Sequence, residues 1–363
     1  MSHHLRRPVP AALRRVGALA TALLASAGLL ASCSGGSAAP KATQPPRPAV
    51  TVMTRNLYFG ADLTPLFHAT GSTLGPAATA AYQQMLHSDV PARLDRVASE
   101  ISSTRPDLVA LQEAVVWSVL APGHRSAVVK YDFVKLLLSD LSRMGDSYKV
   151  AVASNGFTGA LPVPDVGLVS LQDRDVILVR SGDAAVSVSD PRSGHYEHFL
   201  TVHVVGVGVK VVRGWASVDV RASGRGFRVV ATHLEAYSNP TRDAQATELI
   251  HLVSSSTQPT LVLGDVNSAA SGPGDTAYVM MRHAGFGDAW ASVHPDEPGY
   301  SCCRSADLRS GSLDQRIDMI FTRGAFTATK ASLVGTTSSS RTASGLWPSD
   351  HAGVVATLVP PAS

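Results

Sequence analysis

Short apolar segments that end in acidic, amide or imidazole side chains recur along this chain, and they constrain its fold more than any other feature. Clear examples are "THLEAYSNP", "LVLGDVNS" and "WPSDHAGVV" in the second half. Only 16% of the residues are charged whereas 45% are hydrophobic, so polar groups are scarce. Their position at the ends of predicted strands is informative, because α/β folds build sites on loops that rigid strands hold in place.

Strand and helix patterns alternate from residue 49 to about residue 359. Leu94, Val97, Ala98 and Ile101 recur at helical spacing, and Pro106 ends that helix. Further helices are predicted around residues 133–141, 249–253 and 277–285. Strands are predicted for "AVTVMTRN", "DLVALQE", "YKVAVAS", "DVILVR", "FRVVATHLE", "PTLVLGD", "RIDMIFT" and "AGVVATLV", and "VVGVGVKVVRGWASVDV" is interpreted as one strand joined to its neighbour by "RASGRG". The pattern predicts an α/β fold with two packed mixed sheets flanked by helices.

Residues 1–33 are typical of an export signal. They contain four arginines before an apolar stretch from Val16 to Ala31, which is too short for a comfortable transmembrane helix. The ending Leu30-Ala31-Ser32-Cys33 resembles a bacterial lipobox and implies cleavage before Cys33, lipidation of its thiol and a lipid-anchored, extracytoplasmic location. The alternative is an ordinary signal peptide with a chance cysteine. Residues 34–48 are rich in Gly, Ser and Pro and are interpreted as a tether, so that the domain covers residues 49–360.

Removal of the signal changes the charge of the chain. Residues 1–32 hold four arginines and no acidic residue, so the formal net charge falls from +3 to −1. A near-neutral domain lacks the broad basic field of a tight, non-specific nucleic-acid binder, although a local basic cleft is compatible with this charge.

The three cysteines are Cys33, Cys302 and Cys303. If Cys33 is lipidated, no long-range disulfide can form. Adjacent Cys302 and Cys303 leave two alternatives open, a strained vicinal disulfide or two reduced thiols. A zinc site is not expected, because the chain has no CxxC pair.

The polar groups at the predicted strand ends form one chemical set. They are carboxylates, amides and two imidazoles, at Asn56, Glu113, His233, Asp265, Asn267, Asp318, Asp350 and His351. Oxygen donors of this kind suit Mg²⁺, Mn²⁺ or Ca²⁺. A metal ion, an imidazole oriented by a carboxylate and further hydrogen-bond donors are the parts that metal-assisted phosphoester hydrolysis requires.

Each of these signals has an ordinary structural interpretation when it is taken alone. Asp265 and Asn267 in "GDVN" could cap a turn, and Glu113 could be an exposed strand end. Asp318 is more informative, because a carboxylate within the apolar "RIDMIF" needs a partner. Arg316 is the structural candidate for that partner and His351 the functional one.

Taken together and in this order, the motifs resemble the endonuclease/exonuclease/phosphatase superfamily, which includes DNase I-like nucleases, apurinic endonucleases, inositol phosphatases and neutral sphingomyelinases. The resemblance extends over about residues 49–359, and "GDVN" and "SDH" are its most specific parts. It implies a four-layer α/β sandwich with two central β-sheets.

The resemblance also implies roles for individual residues. Glu113 matches the principal Mg²⁺ ligand, with Asn56 and Asp350 near the same ion. Asn267 and His233 match groups that hold the scissile phosphate, and His351 with Asp318 matches the His–Asp pair. Asp265 matches the group that activates water or binds a second metal, and whether Asp265 or His351 accepts the proton stays open.

Two positions depart from the family pattern. The loop from Tyr58 to Asp62 is extended beside Asn56, which makes it a candidate for substrate specificity. Where the family often carries an Asn or Tyr that reaches the phosphate, this chain has "DRDVILVR", so Asp175 or Arg174 could serve there.

The sequence therefore predicts an exported, membrane-anchored, metal-dependent phosphoesterase. A nuclease and a lipid or head-group phosphodiesterase are both compatible with it, and we expect a monomer. The alternative is a non-catalytic surface-binding module on the same fold.

Overall fold

The computed structural model describes residues 49–182, 186–222, 224–272 and 276–362. The predicted signal with Cys33 and the predicted tether lie outside these residues. The described helices are α1 (Thr64–Phe67), α2 (Leu74–His87), α3 (Val90–Thr104), α4 (Phe133–Arg143), α5 (Asn239–Ser254), α6 (Thr276–His283) and α7 (Ala289–Val293), with a 3₁₀ turn at Ser338–Ser340. The described strands are β1 (Val50–Asn56), β2 (Leu108–Gln112), β3 (Val116–Leu120), β4 (Val128–Asp132), β5 (Tyr148–Val163), β6 (Gly167–Arg180), β7 (Val186–His195), β8 (Leu200–Val204), β9 (Val207–Val211), β10 (Gly214–Ala222), β11 (Arg225–His233), β12 (Thr260–Asp265), β13 (Gly287–Asp288), β14 (Asp318–Arg323), β15 (Thr327–Val334) and β16 (Gly353–Val359).

The described strands form two large mixed sheets and one separate hairpin. The first sheet has the order β15-β16-β1-β2-β6-β3-β4, with β5 also paired to β6. The second has the order β13-β14-β12-β11-β10-β7, and β8 pairs only with β9. Both sheets contain parallel and antiparallel pairs.

The two large sheets pack face to face through alternate residues of their strands. In β2, Leu108 and Ala110 contact the cluster between the sheets, while Val109 and Leu111 contact the cluster on the outer face. β12 alternates in the same way, as the period of two in a strand requires. α2, α3 and α4 cover the outer face of the first sheet, and α5 and α6 cover that of the second. The predicted four-layer α/β sandwich is therefore confirmed.

The helix α3 forms as its sequence pattern predicts. Leu94, Val97 and Ile101 are fully buried against the first sheet. The side chain of Asp89 caps the first turn by accepting from the backbone of Ala92, and the helix ends next to Pro106. Within the described residues, no helix combines the length and the apolarity needed to cross a membrane.

One predicted strand is wrong. The segment "VVGVGVKVVRGWASVDV" is not continuous, since it contains the turn between β8 and β9 and a second break before β10. The turn residues Val205 and Gly206 have φ of 51° and 79°, which is the left-handed backbone of a tight hairpin turn. The apolar pattern extends across both breaks, so that hydrophobicity alone does not reveal them.

Candidate active site

Strand pairing brings the predicted site residues to one end of the sandwich. In the first sheet β1 runs parallel to β2, with Asn56 opposite Gln112, the last residue before Glu113. In the second sheet β11 runs parallel to β12, and His233 lies opposite Asp265. β14 starts at Asp318, which is directly opposite Asp265 in the antiparallel pair with β12. The polar residues that end separate strands in the sequence therefore meet in one place.

Asn56 connects the two sheets at this end. Its amide nitrogen donates to Glu113 Oε1 at 3.1 Å and to Asp265 Oδ2 at 3.2 Å. The other oxygen of Glu113 accepts from the backbone N–H of Phe59 at 2.6 Å. Asn56 is completely buried, so this bridge holds two carboxylates of different sheets at a fixed separation.

The backbone at the site includes uncommon conformations. Tyr58, Glu113 and Asn267 have φ of 61°, 53° and 49°. Left-handed backbone is costly for Tyr and Glu, and residues held in it cluster at functional sites.

Gly264 permits the close approach of β11 and β12 immediately before Asp265. A Cβ at this position would lie 2.0 Å from the carbonyl oxygen of Thr232. Any side chain here would push the two strands apart and separate His233 from Asp265. The "GD" of the motif therefore has a structural reason as well as a chemical one.

His351 and Asp318 form a buried pair. His351 Nδ1 donates to Asp318 Oδ2 at 2.8 Å, and His351 Nε2 lies 3.8 Å from Asp265 Oδ2. Burial alone would lower the pKa of His351, but the charges of Asp318 and Asp350 outweigh it and raise this pKa well above its usual range. Arg316, the structural alternative, pairs instead with Asp288 at 2.6 Å. The structure therefore leaves His351 Nε2 facing the site.

His233 lies on the other side of Asp265, and its protonation state differs from that of His351. Its Nε2 is 3.5 Å from Asp265 Oδ2, and its Nδ1 is 3.0 Å from the guanidinium of Arg213. Because a guanidinium can only donate, Nδ1 of His233 is the acceptor and Nε2 carries the hydrogen. Burial and the positive charges of Arg213 and His351 hold the pKa of His233 well below its usual range. His233 is thus a neutral imidazole with its N–H directed into the site.

The carboxylates of the site are crowded and poorly hydrated. Burial and the neighbouring Asp350 and Asp173 raise the pKa of Glu113 to about 8, although part of its side chain reaches solvent. Burial also raises the pKa of Asp265 to about 6 against the opposing effect of His351. Such a cluster of oxygen donors favours a cation, which would hold these groups in their ionised form. Glu113 and Asp350 therefore fit a hard divalent metal ion. Asn56 was predicted as a further ligand, but its amide nitrogen faces Glu113 and Asp265 while its oxygen accepts from the backbone N–H of Tyr58.

Asp350 is half-buried and is held by its own loop. Its Oδ1 lies 3.2 Å from Ser349 Oγ, and the hydroxyl of Ser349 donates to the backbone oxygen of Asn56. Arg93, which is fully buried, donates to the backbone oxygens of Leu57 and Pro348. This arginine fastens the loop after β1 to the loop before β16, and it was not predicted from the sequence.

Asn267 belongs to the same end of the sandwich. Its backbone N–H donates to Asp265 Oδ1 at 2.9 Å, and its side-chain amide donates to the backbone oxygen of Leu234 at 2.9 Å. Asn267 therefore fixes the rotamer of Asp265 and the loop that follows His233.

Comparison with known proteins identifies one family. The model of the Endonuclease/Exonuclease/phosphatase family matches residues 84–351. The chain belongs to this family. Its members are generally phosphoester hydrolases that use divalent metal ions. No curated protein matched the sequence.

Solved structures of this family share the fold at low sequence identity. The family protein from Leptotrichia buccalis is 14% identical with a TM-score of 0.55, covering 85% of this chain and 99% of its own. The one from Beutenbergia cavernae is 21% identical with a TM-score of 0.54, covering 86% of this chain and 72% of its own. D. rerio TDP2 complexed with a single-strand DNA product is 15% identical with a TM-score of 0.51, covering 85% of this chain and 98% of its own.

In this member of the family, a buried ionic cluster supports His233. Arg213 lies 3.3 Å from Asp173 Oδ2 and 3.9 Å from Glu235 Oε2. None of these three residues was predicted from the sequence, where Arg213 lies inside a segment interpreted as one strand. The available signal was a lone arginine in the apolar "VKVVRGWA", since a buried charge requires partners.

The two candidates on β6 differ in the structure of this family member. Arg174 is bound elsewhere, to the backbone oxygen of Ala114 and to Asp132 at 2.7 Å. Asp175 is buried, and burial together with Asp173 raises its pKa well above its usual range. Arg174 thus connects β6 to Ala114 and Asp132, while Asp175 interacts with Asp173 at a buried position.

The adjacent cysteines border the site of this family member. Cys302 and Cys303 are joined as a vicinal disulfide, and their sulfur atoms lie 3.5 and 4.0 Å from His351 Nε2. Cys302 is fully buried whereas Cys303 is exposed. The pair therefore forms a wall of the site on the side of His351.

Proposed function

We propose that this protein is a divalent-metal-dependent phosphodiesterase. The observation that carries the proposal is the meeting of Asn56, Glu113 and Asp265 with the Asp318–His351 pair at one end of the sandwich. Oxygen donors, an oriented imidazole and a neutral N–H donor lie within a few ångströms of one another. This is the set of groups that hydrolysis of a phosphoester requires.

Glu113 and Asp350 would hold the metal ion, with Asn56 orienting Glu113. Once bound, the ion would polarise a phosphoryl oxygen and offset the negative charge that develops on it. Asn56 keeps Glu113 and Asp265 apart at the separation that its two hydrogen bonds define.

Asp265 and His351 accept the proton of the attacking water as a pair. Their facing atoms, Oδ2 and Nε2, are 3.8 Å apart, so a water that lies to one side of the pair can contact both. Asp318 fixes the orientation of the imidazole through Nδ1. Since the two groups interact strongly, the proton belongs to the pair rather than to one residue.

His233 positions the phosphate, and Asn267 positions Asp265. Arg213 fixes the tautomer of His233, so that its Nε2–H can donate to a phosphoryl oxygen. Asn267 keeps Asp265 in place through its backbone N–H. Such donors stabilise the transition state because they are oriented before the reaction begins.

Hydrolysis of a substrate panel tests this proposal. The purified full chain is assayed with Mg²⁺, Mn²⁺ or EDTA on supercoiled plasmid, RNA, sphingomyelin, a phosphoinositide and bis(4-nitrophenyl) phosphate. We expect at least one substrate to be cleaved with metal and not with EDTA. His351→Ala should lower kcat by about 10²-fold or more, because the residue that shares the proton with Asp265 is lost.

His124→Ala is the matched control, since His124 is exposed on the loop after β3. It should retain the wild-type rate. If His351→Ala were as active as His124→Ala, or if no phosphoester were cleaved, the proposed chemistry would be wrong.

We further propose that the enzyme is exported and lipid-anchored through Cys33. The lipobox-like sequence Leu30-Ala31-Ser32-Cys33 and the tether composition of residues 34–48 support this proposal. The D. rerio protein binds a DNA product, so a nucleic acid is one candidate substrate. A lipid phosphodiester is the other, and an anchored enzyme would have it within reach.

A further inference from the structure

An apolar cavity of about 130 Å³ lies beside the proposed active site. It is enclosed by α1, α2, the β5–β6 ribbon, β3 and the β8–β9 hairpin. Its walls include Leu66, Phe67, Ala81, Trp117, Leu161 and Val204. Leu66 and Val204 are half-buried, so the cavity opens towards solvent.

The β5–β6 ribbon extends past the proposed active site and forms one wall of this cavity. Glu113 lies close to Arg174 of β6, because the N–H of the next residue, Ala114, donates to the carbonyl oxygen of Arg174. From there β6 continues back to Gly167, paired on both sides by β3 and β5. At about 3.3 Å per residue, this part of the ribbon extends roughly 20 Å beyond the site.

Two chains of contacts connect the cavity to the catalytic groups. On one side the indole N–H of Trp117 donates to the backbone oxygen of Phe59, whose own N–H donates to Glu113. On the other side Phe67 packs edge-on against Tyr237, with ring centroids 5.2 Å apart. Tyr237 lies on the loop after His233. The cavity is therefore two contacts away from Glu113 on one side, and on the other side its wall contacts the loop that follows His233.

The apolar walls determine which kind of molecule can bind in the cavity. An apolar cavity stays dry and binds apolar molecules, because water finds few hydrogen-bond partners in it. A nucleobase or a sugar would leave polar atoms unpaired against the aliphatic and aromatic walls, which is unfavourable. An alkyl chain has no such atoms and gains from every methylene that it buries.

The β8–β9 hairpin at the rim of the cavity carries an apolar residue in an unfavourable backbone conformation. Val205 has φ of 51°, a conformation that is rare for a β-branched side chain, and 46% of its surface is exposed. Its neighbour Val207 is 65% exposed. Apolar side chains on an exposed turn beside an apolar cavity are suited to contact with alkyl chains.

We infer that the substrate is an amphiphilic phosphodiester, with its phosphate at the Glu113–His351 site and one alkyl or acyl chain in this cavity. The inference rests on the proposed phosphoesterase function and specifies its substrate class. A nucleic acid would use the same phosphate site and leave the cavity empty.

Binding of n-alkyl phosphonates tests the inference without hydrolysis. The affinities of methyl, butyl, hexyl and octyl phosphonate for the full chain are measured by titration calorimetry with Mg²⁺, below the micelle-forming concentration. We expect affinity to rise about fourfold for each methylene that enters the cavity, until the cavity is filled. An affinity that does not depend on chain length would overturn the inference.

Two variants close the cavity in different ways. Ala81→Phe fills it from α2, and Val204→Asp places a carboxylate in its wall. Both should lose the dependence on chain length. The controls Ala80→Phe and His203→Asp change exposed neighbours on the same elements and should behave as the wild type.

Thermal unfolding of each variant shows whether it is folded. Because two different substitutions close the cavity, the test remains valid if one of the variants fails to fold. If Ala81→Phe and Val204→Asp kept the chain-length dependence while folded, the chain would bind elsewhere and the inference would be wrong. Failure of the proposed function has a different signature, since phosphonates would then bind by chain length while no phosphodiester is hydrolysed.

Discussion

Asp318 is the residue whose role is best isolated by a single substitution. Its Oδ2 accepts from His351 Nδ1, and among the described residues its buried Oδ1 has no hydrogen-bond partner. Asp318→Asn keeps the shape of the side chain but removes the charge that holds His351 in its orientation. We expect kcat to fall by about 10²–10⁴-fold while the fold is retained.

Asp288→Asn is the control, because Asp288 is also buried and pairs with Arg316 at 2.6 Å. This change breaks a buried ion pair away from the proposed catalytic groups. It should lower the free energy of unfolding by about 3–5 kcal/mol and leave kcat of the folded enzyme near the wild-type value. Steady-state kinetics and urea unfolding of both variants separate the two effects. An Asp318→Asn enzyme with normal kcat would remove Asp318 from the mechanism.

Glu113 provides a test of metal binding that does not depend on catalysis. A ligand that binds only the folded state stabilises it, by about 2.7 kcal/mol at a concentration of one hundred times Kd. We expect Mg²⁺ to raise the melting temperature of the wild type by a few degrees and to leave that of Glu113→Gln unchanged. Glu197→Gln, at an exposed position, should respond as the wild type does. Equal stabilisation of Glu113→Gln would show that the ion binds elsewhere.

At the scale of elements, the turn between β8 and β9 is expected to lower the free energy of unfolding. Val205 and Gly206 both have positive φ, and Asn adopts this backbone far more readily than Val. Val205→Asn should therefore raise the free energy of unfolding by roughly 1 kcal/mol. Val207→Asn, in the following strand, should not. Chemical unfolding of both variants measures the difference, and an unchanged midpoint for Val205→Asn would mean that the turn is not strained.

The elements that the sequence predicts are those that local pattern determines. β1, β2, β12 and α3 have a clear apolar period and end at Pro or polar residues, so their polar ends could be named in advance. The ribbon and the β8–β9 hairpin depend on partners that are distant in the chain. The apolar run around Val205 has no local signal strong enough to divide it, and the length of the β5–β6 ribbon arises from the pairing of these two strands with each other.

The same limit applies to the site. Asp318 and His351 were predicted because a carboxylate in an apolar run needs a partner. Arg213 and Glu235 were missed, although they orient and surround His233 in the structure. Their roles arise only when β10 and β11 pair, so a pattern read along the chain does not reveal them.

At the scale of the whole molecule, the proposed lipid anchor at Cys33 would keep the domain close to a membrane. The local concentration of an amphiphilic substrate would then be far higher than for a secreted enzyme.

Cys33→Ser tests this arrangement in a bacterial host. Each methylene of an acyl chain in the bilayer contributes about 0.8 kcal/mol, so the lipidated wild type should stay in the membrane fraction. The variant should lose the mass of the lipid and leave that fraction, whereas Cys303→Ser should remain there because its cysteine lies outside the lipobox. Fractionation and intact mass measure both results. A wild type of unlipidated mass outside the membrane would mean that residues 1–33 act as an ordinary signal, and the enzyme would then have to reach its substrate by diffusion.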